Sequence, residues 1–448
     1  MSDLLSIGAS GVNAYQNALS TVSENIANTG VAGYSRRTVS LKEVAASGTS
    51  LTSTARSSGS GVNATSINRA ADAFRNAAVR SSGSDLARTE AGSTWLDGIQ
   101  NALTGNRVGT QLTSFFNSAT ALAADPTSTA SRATMLEGAT SLAAAFGATG
   151  AALGAVASNL DATATQATQS LGSLGAALAK VNDGLARTQA GSGAAAGLAD
   201  QRDQLLEQMS AIVDVSVTTD AAGRATVKIG GDSGPVLVAG SEAGSVAYER
   251  SSSGQASFAV IRAGTVTSMT PGGGALAGIA DGAQRIADAT AALGDIATSF
   301  TSQVNAVQTQ GRDLDGNPGT ALFATGGSPT DIRVALTDPR GIAAASATGS
   351  ARDASNLTAL QAVRTSGGFE TGTTALVATN AAALSQRKTV ADAQSSIRDG
   401  AVSARDAVSG VSLDTEAVDL MRFQQAYQAS SRIIQVARET FQSILQIQ

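Results

Sequence analysis

The chain has 448 residues, with 30 basic and 35 acidic side chains and a formal net charge of −5 at pH 7. It contains no cysteine and no histidine, which excludes disulfides, thiolate zinc sites and catalytic arrangements that need either residue. For the same reason we expect neither an enzyme nor a cofactor or metal site. The sequence has no basic run that would neutralise phosphates, so it predicts no nucleic-acid partner.

The N-terminal segment predicts an amphipathic helix that ends near Ala27, where Asn28, Gly30 and Gly33 interrupt the pattern. Its apolar residues alternate in steps of three and four, which is typical of one coiled-coil face. The segment lacks a basic region and a continuous apolar run, so we expect export without a cleaved signal peptide. The face contains Leu5, Gly8, Val12, Tyr15, Leu19, Val22 and Ile26.

Helical spacing continues through the first half of the chain. The stretch from Trp95 to Leu122 holds much of the aromatic content and is predicted to form a helical core. Ala-rich helices are expected over 139–180 and 198–212. Residues 139–160 carry no charge and are long enough to cross a bilayer. They are diluted by Ala, Gly, Ser and Thr, so we predict no membrane span.

Short alternating strands are predicted between 213 and 275, where apolar and polar residues alternate around turn signals. Helical spacing returns from Ile286 to Val307. A second extended stretch near 332–336 is expected to complete this β module, and helices resume at Asn356.

The C-terminal segment predicts a second coiled-coil helix, with acidic residues in its first turns and arginines nearer its end, as the helix dipole favours. Its face contains Leu420, Phe423, Tyr427, Ser430, Ile434, Ala437, Phe441 and Ile444. The narrow stripes of both terminal helices predict that these helices pair with each other and with neighbouring copies of the chain. Closure of an ordinary helical bundle remains the alternative.

The predicted fold class is therefore mainly α with an inserted β domain. It comprises terminal coiled-coil helices, a helical rod domain and a small outer β module. We assign 1–32 and 411–448 to an inner domain and 33–65 to a linker. The rod contains 66–212, 276–325 and 346–410, and the β module contains 213–275 with 326–345.

The residues Asp313-Leu314-Asp315-Gly316-Asn317 match the first positions of a calcium-binding loop motif. The sixth position is Pro318, where the tight turn needs Gly, and the twelfth is Ala324, where a bidentate Glu is needed. We therefore predict an Asx and Gly turn exposed to water. The Gly-rich stretches 230–234 and 272–274 match no phosphate-binding motif and are predicted as loops.

Both ends of the chain resemble proteins of the bacterial flagellum. Residues 23–28 (SENIAN) with 33–36 (GYSR) resemble the N-terminal signature of flagellar rod, hook and hook-associated proteins. Residues 409–416, 423–429 and 305–316 more narrowly resemble the hook-associated protein 1 family. The matching positions are Asn25, Ala27, Asn28, Gly33, Tyr34, Arg36, Gln424, Gln425, Ala426 and Tyr427.

This resemblance implies a structural subunit that joins hook to filament at the hook-filament junction, outside the cell. Such a subunit is exported unfolded by the flagellar type III apparatus and assembles as a ring. The partners it implies are copies of the same chain, hook protein, hook-associated protein 3 and an export chaperone at the C-terminal helix. Rival interpretations are a hook or distal rod subunit, flagellin, a coiled-coil surface adhesin, and a glycan-acting enzyme in the β module.

Apolar side chains on the two terminal faces are the predicted carriers of packing between subunits. On this interpretation Ile434→Asp leaves a folded monomer that cannot assemble. The predicted packing residues are Leu5, Val12, Tyr15, Leu19, Val22, Ile26, Leu420, Phe423, Tyr427, Ile434, Phe441 and Ile444.

Overall fold

A computed structural model describes residues 2–44 and 61–445, and over these residues the chain is mainly helical with strands in three places. The helices are α1 (Ser2–Ala27), α2 (Ala73–Gly105), α3 (Val108–Ala124), α4 (Thr129–Arg187), α5 (Gly193–Ile212), α6 (Gly274–Gln310), α7 (Ser355–Gly367), α8 (Phe369–Ser409) and α9 (Leu413–Leu445). The strands are β1 (Arg37–Glu43), β2 (Val62–Arg69), β3 (Val215–Thr219), β4 (Ala225–Ile229), β5 (Val236–Ala239), β6 (Glu242–Ala243), β7 (Ser245–Arg250), β8 (Ala256–Arg262), β9 (Thr265–Met269), β10 (Phe323–Thr325) and β11 (Ile332–Val334). The predicted fold class is confirmed.

A cluster of phenylalanines lies at the centre of the helical body. Phe115 and Phe116 on α3 meet Phe300 on α6 edge-on, with ring centroids 5.6 and 6.1 Å apart. Phe369 at the start of α8 stacks on Phe116, and Phe323 lies 5.3 Å from Phe300. Such pairs add about 0.5–1.5 kcal/mol each to the burial term. The predicted core residues of this region are all buried: Trp95, Leu96, Ile99, Leu103, Leu112, Phe115, Phe116 and Leu122.

The longest helix, α4, has 59 residues and at 1.5 Å per residue extends about 90 Å. It is the one helix in the described residues that is long and apolar enough to cross a membrane. Its large apolar residues Leu142, Phe146, Leu153, Leu160 and Leu171 are fully buried. Neighbouring helices and strands cover this stripe, which is the arrangement of a core helix.

The predicted strands between α5 and α6 are confirmed and form two small antiparallel sheets. One has the order β3-β4-β5-β6 and the other β7-β8-β9. In β4, Ala225, Val227 and Ile229 are fully buried while the residues between them are half-buried, as period-two alternation requires. These seven strands form the β module, which packs on the second half of α4.

Polar side chains on α4 anchor the β module. Asn182 is fully buried, donates to the carbonyl of Ala225 and accepts from the same residue's N–H, both at 2.8 Å. Asp161 accepts hydrogen bonds from the Tyr248 hydroxyl and twice from Arg250, each at 2.7 Å. The bonds from Arg250 lower the pKa of Asp161 more than burial raises it, so this carboxylate stays charged at neutral pH.

Asp161→Ala is expected to loosen the β module on α4 without unfolding the helical body. Loss of the bonds to Tyr248 and Arg250 costs about 1–2 kcal/mol, measured as faster amide exchange over residues 215–269. Because the folded-state pKa is lowered, this stabilisation is present above the ordinary carboxyl pKa and is lost as the pH falls through the folded value. Asp183→Ala is the control, since Asp183 pairs within α4 with Arg187. Equal exchange in both variants would contradict the anchoring role.

The linker predicted at 33–65 is wrong where the structure describes it. β1 and β2 pair antiparallel from Arg37 opposite Arg69 to Glu43 opposite Val62, and the hairpin packs on α1. Both strands carry many polar side chains, so the alternation that identifies a half-buried strand is weak.

The assignment of 326–345 to the β module is also wrong. Among the described strands, β11 pairs with β10 alone, and this two-stranded sheet packs on α4 and α6. The 37-residue helix α6 carries the chain away from the module and back to the phenylalanine cluster, which Phe323 joins.

The predicted Asx turn at Asp313 is confirmed. Its Oδ1 accepts from the backbone N–H groups of Asp315 and Asn317 at 2.9 and 2.8 Å, and Gly316 has a φ of +84°. Asp315 forms an ion pair with Arg340. These bonds engage the oxygens that a calcium ion would need.

Candidate functional site

The two terminal helices pack against each other, as predicted. They run antiparallel, because Gly8 near the start of α1 lies against Ile434 near the end of α9. At the other end of the pair, Asn25 bonds to Glu416 in the first turn of α9. The residues farthest apart in the chain are thus brought into one structural unit.

Small residues form the contact surface of this pair. A Cβ at Gly8 would lie 2.6 Å from Ile434 Cγ1, and one at Gly11 would lie 2.5 Å from the Ser430 hydroxyl, so neither position has room for a side chain. Ala14 and Ala18 continue the same surface and are buried. The buried stripe of α1 is therefore rotated from the predicted face, and the spacing of Gly and Ala was its signal in the sequence.

Gly8→Val is expected to separate the ends of α1 and α9. The added methyl groups collide with Ile434, and overpacking of this kind costs about 1–3 kcal/mol. We expect faster amide exchange in residues 2–27 and 413–443, with the helical body unchanged. Gly400→Val on α8 is the control because nothing lies within 4 Å of a Cβ there. Unchanged exchange in the Gly8 variant would refute the close packing.

The predicted packing residues divide into three groups. Val22 is buried. The half-buried residues are Val12, Tyr15, Leu19, Ile26, Leu420, Phe423, Tyr427 and Ile434. Leu5 and Phe441 are exposed, and the side chain of Ile444 lies outside the described residues. Ile434 contacts Gly8 of the same chain, so Ile434→Asp would also disturb the monomer, contrary to the prediction.

A second apolar face of α9 is exposed and lies opposite the contact with α1. Val418, Met421 and Val436 are each more than half exposed, and Ile433 is 39% exposed. Val418 and Val436 are 18 residues apart, which is about five turns, so they share one side of the helix. Val418 with Met421 and Ile433 with Val436 form two apolar patches on this side, separated by the exposed Gln425 and Arg432. Exposed apolar patches of this kind are candidate interaction surfaces. This face was not predicted from the sequence, because the apolar residues of the predicted coiled-coil face of α9 form a more regular pattern.

Asn25 lies at the centre of the junction between the terminal pair and the rest of the protein. It is fully buried, and its amide makes four hydrogen bonds. The nitrogen donates to the Arg37 carbonyl at 2.8 Å and to Glu416 at 2.9 Å, while the oxygen accepts from the Tyr34 hydroxyl at 2.8 Å and the Arg37 N–H at 3.0 Å. Every donor and acceptor site of the side chain is satisfied.

Glu416 and Arg36 form the ion pair of this junction. Arg36 Nε lies 2.6 Å from Glu416, whose side chain is 1% exposed. The backbone N–H of Arg36 donates to the Ser409 carbonyl at 2.8 Å, which joins the loop after α1 to the end of α8. The charge of Glu416 is thus compensated by one guanidinium and one amide, as a buried carboxylate requires.

Tyr34 closes the junction from the loop side. Burial raises the pKa of its hydroxyl, against the opposing effect of Arg37, so the group stays protonated and donates to Asn25. The guanidinium of Arg37 lies 5.0 Å from the centre of the Tyr34 ring, within cation–π distance.

A further set of ion pairs ties the β1–β2 hairpin to α5. Asp200 accepts from Arg37 at 3.0 Å and from Arg69 at 2.8 Å, and Asp203 accepts from Arg69 at 2.8 Å. These side chains are mostly buried, with Asp200 only 8% exposed. The junction therefore connects α1, α9, the hairpin and the helical body.

The structure brings together only part of the family signature. Asn25, Tyr34 and Arg36 meet in the junction, and Gly33 adopts a φ of +77° with Gln204 in the space a Cβ would need. The remaining signature residues lie elsewhere. Asn28 caps the end of α1 by bonding to the Glu24 carbonyl. Ala27, Gln424 and Gln425 are exposed, and Ala426 and Tyr427 are half-buried. Sequence reasoning missed Arg37, Asp200 and Asp203, which carry no motif, and the partnership of Glu416 with Asn25.

The polar side chains of the junction bond to one another rather than to a ligand. Within residues 2–44 and 61–445, no group of three or more His, Cys, Asp or Glu side chains is arranged to hold a metal ion. The junction is built from satisfied hydrogen bonds and ion pairs beside an exposed apolar helix face. These features define a mainly helical structural protein whose termini form a separate paired unit.

Two protein families match the chain. The flagellar hook-associated protein FlgK helical domain matches residues 93–323, and the C-terminal domain of the flagellar basal body rod FlgEFG proteins matches residues 403–447. The first match covers more than half of the chain. The chain therefore belongs to the FlgK family of flagellar hook-associated proteins, a family of structural components of the bacterial flagellum.

Individual relatives carry the same family name. The flagellar hook-associated protein 1 of Salmonella typhimurium is 30% identical over 337 residues, covering 73% of this chain and 60% of that protein. The one from Bacillus subtilis is 26% identical and covers 97% of this chain and 96% of that protein. The flagellar hook junction protein FlgK of Burkholderia pseudomallei aligns with a TM-score of 0.49 at 25% identity, over 56% of this chain and 46% of that structure. The chain thus spans less than two thirds of the length of the Salmonella relative.

Proposed function

We propose that this chain is a structural subunit that joins the flagellar hook to the filament. The observation that carries the proposal is the terminal pair: α1 and α9 close on each other, yet α9 presents Val418, Met421 and Val436 to solvent. A monomer gains nothing from such a face, whereas a neighbouring subunit would bury it at about 1.5–3 kcal/mol per side chain. Membership of the hook-associated family supports the same role.

Assembly through this unit is part of the proposal. Residues 1–32 and 411–448 form the inner domain, which packs against neighbouring copies as a ring between hook protein and hook-associated protein 3. The subunit acts outside the cell after export, with a chaperone covering α9 beforehand. The exposed face of α9 supports this last step, since it is the surface that a soluble precursor needs covered.

A hook or distal rod subunit is the second candidate. The match of residues 403–447 to the C-terminal domain of rod proteins favours it. The matched range contains the end of α8 and all of α9, so the match bears on assembly by the terminal pair. The match of 93–323 to the hook-associated family supports the junction role instead.

Electron microscopy of cells that lack the gene separates these functions. We expect bare hooks, with flagellin recovered from the growth medium. Absent hooks would assign the chain to the rod or hook. Normal filaments would refute a flagellar role and favour a surface adhesin.

A further inference from the structure

A cleft of about 820 Å³ lies between the junction and the helical body. Its walls come from the loop after α1, from α2, α5 and α8, and from the segment that leads into α9. Arginines and carboxylates face each other across it. The charged lining residues are Arg69, Arg80, Arg398, Arg405, Asp203, Glu207 and Asp406.

The carboxylates of this cleft are already engaged. Asp203 accepts from Arg69 at 2.8 Å and from Arg202 at 2.6 Å. Glu207 and Asp406 each lie 2.9 Å from the guanidinium of Arg405. All three acids are therefore held by arginines other than Arg80 and Arg398.

Arg80 and Arg398 differ from the other arginines of the cleft. Neither forms a hydrogen bond or an ion pair with any residue in the described part of the chain, and both side chains are half-buried. Burial lowers the pKa of Arg80, against the opposing effect of Asp203. Asp203 and Glu207 favour the charged form of Arg80, but both carboxylates are bonded to other arginines, so the Arg80 guanidinium has no carboxylate of its own.

The segments outside the described residues have no acidic side chain that would pair with these arginines. Residues 45–60 and 446–448 contain no Asp or Glu. Apart from Asp3 and the terminal carboxylate, every acid of the chain belongs to the described structure. No carboxylate among the described residues therefore bonds to Arg80 or Arg398 within this copy of the chain.

We propose that Arg80 and Arg398 bind a carboxylate side chain of a second copy of this chain, so that the cleft is completed only in the assembly. The proposal rests on the assembly role inferred above. A guanidinium group suits a carboxylate, which accepts two of its N–H groups in parallel bonds, and both arginines line the same cleft. The chain has 35 acidic against 30 basic residues, so its copies carry a surplus of the required group. Val411 at the cleft rim leads directly into α9 and its exposed face.

Carbodiimide coupling tests this directly. The reagent joins a lysine amine to a carboxylate that touches it, and the lysines of the chain are Lys42, Lys180, Lys228 and Lys388. Arg398→Lys keeps the charge and adds an amine in the cleft. In flagella isolated from cells carrying this variant, we expect covalent dimers in which mass spectrometry finds the introduced amine at position 398 joined to an Asp or Glu of another copy.

Arg285→Lys on α6 is the matched control, since Arg285 is exposed and has no ion-pair partner among the described residues. Dimer yield equal to that control, or coupling of the introduced amine within its own chain, would overturn the proposal. Immunodetection of the variant in the same flagella keeps this outcome distinct from failure of the proposed function, which would remove the protein from them altogether.

Arg80→Met gives an independent test. If Arg80 is unpaired in the free chain, its replacement raises the thermal midpoint of the purified protein by about 1–2 °C. In flagella the same variant should release filaments more readily under shear. A lowered midpoint of the purified protein would show that Arg80 has its partner within the chain, and would refute the proposal.

Discussion

Replacing Glu416 by alanine is expected to free the terminal helices from the body of the protein. Glu416 is fully buried and holds both Arg36 and Asn25. Removing one partner of a buried ion pair leaves the other without compensation and costs about 3–5 kcal/mol. Arg36 is 25% exposed and regains some hydration, so we expect the lower end of this range.

Amide exchange measures this effect where it arises. A loss of about 3 kcal/mol corresponds to roughly a hundredfold faster exchange through local opening in residues 2–27 and 413–443. The phenylalanine cluster is not part of the junction, so exchange in α3 and α6 should stay unchanged. In cells, the variant should release flagellin into the medium, since its terminal helices are not held in position.

Asp414→Ala is the matched control for the Glu416 variant. Asp414 lies in the same first turn of α9 but is exposed, and it forms no ion pair with the described residues. Its loss removes only a favourable interaction with the helix dipole, about 0.3–1 kcal/mol. If amide exchange is the same in both variants, the buried contacts of Glu416 do not hold the terminal helices at the junction.

Periodic patterns predicted most of the regular structure. The end of α1 at Ala27 follows from Asn28 and Gly30, and the strands from β3 to β9 follow from alternation between turn signals. Both are local properties, readable from a few consecutive residues. The β1–β2 hairpin was missed because its polar strands show little alternation, and its pairing is formed with residues across an intervening segment.

The junction was harder to predict because its bonds join residues far apart in the chain. Asn25 and Glu416 are 391 positions apart, and Arg37 and Asp200 are 163 apart. A buried Asn and a solvated Asn look the same in one sequence, since only the fold decides whether the amide finds four partners. The family signature marked Asn25, Tyr34 and Arg36 as important, but their shared role appears only in three dimensions.

The rotation of the α1–α9 contact has a similar physical origin. A coiled-coil pattern favours large apolar residues at the seam, yet here Gly8, Gly11 and Ala18 lie in the contact. Because the backbones of α1 and α9 approach closely, small residues form the buried contact between them. The larger apolar side chains lie at its edges or outside it. Val418, Met421 and Val436 are thereby free for a second partner, which connects the internal packing of the terminal pair to its proposed assembly.

Val436→Asp is expected to abolish assembly while leaving the monomer intact. Val436 is 58% exposed and lies opposite the contact with α1, so a charge there remains hydrated in the free chain. In the assembly the same carboxylate would be buried without a partner, at a cost of about 3 kcal/mol or more for each contact. We expect unchanged circular dichroism and amide exchange of the purified variant, together with non-motile cells that lose flagellin to the medium.

Two further variants separate the effect of this face from a general effect of charge. Ser403→Asp on an exposed position of α8 controls for the added carboxylate and should leave motility unchanged. Ile434→Asp should differ from both by also exposing α1 to exchange, because it disrupts the contact with Gly8. Wild-type motility of the Val436 variant would remove this face of α9 from the subunit interface.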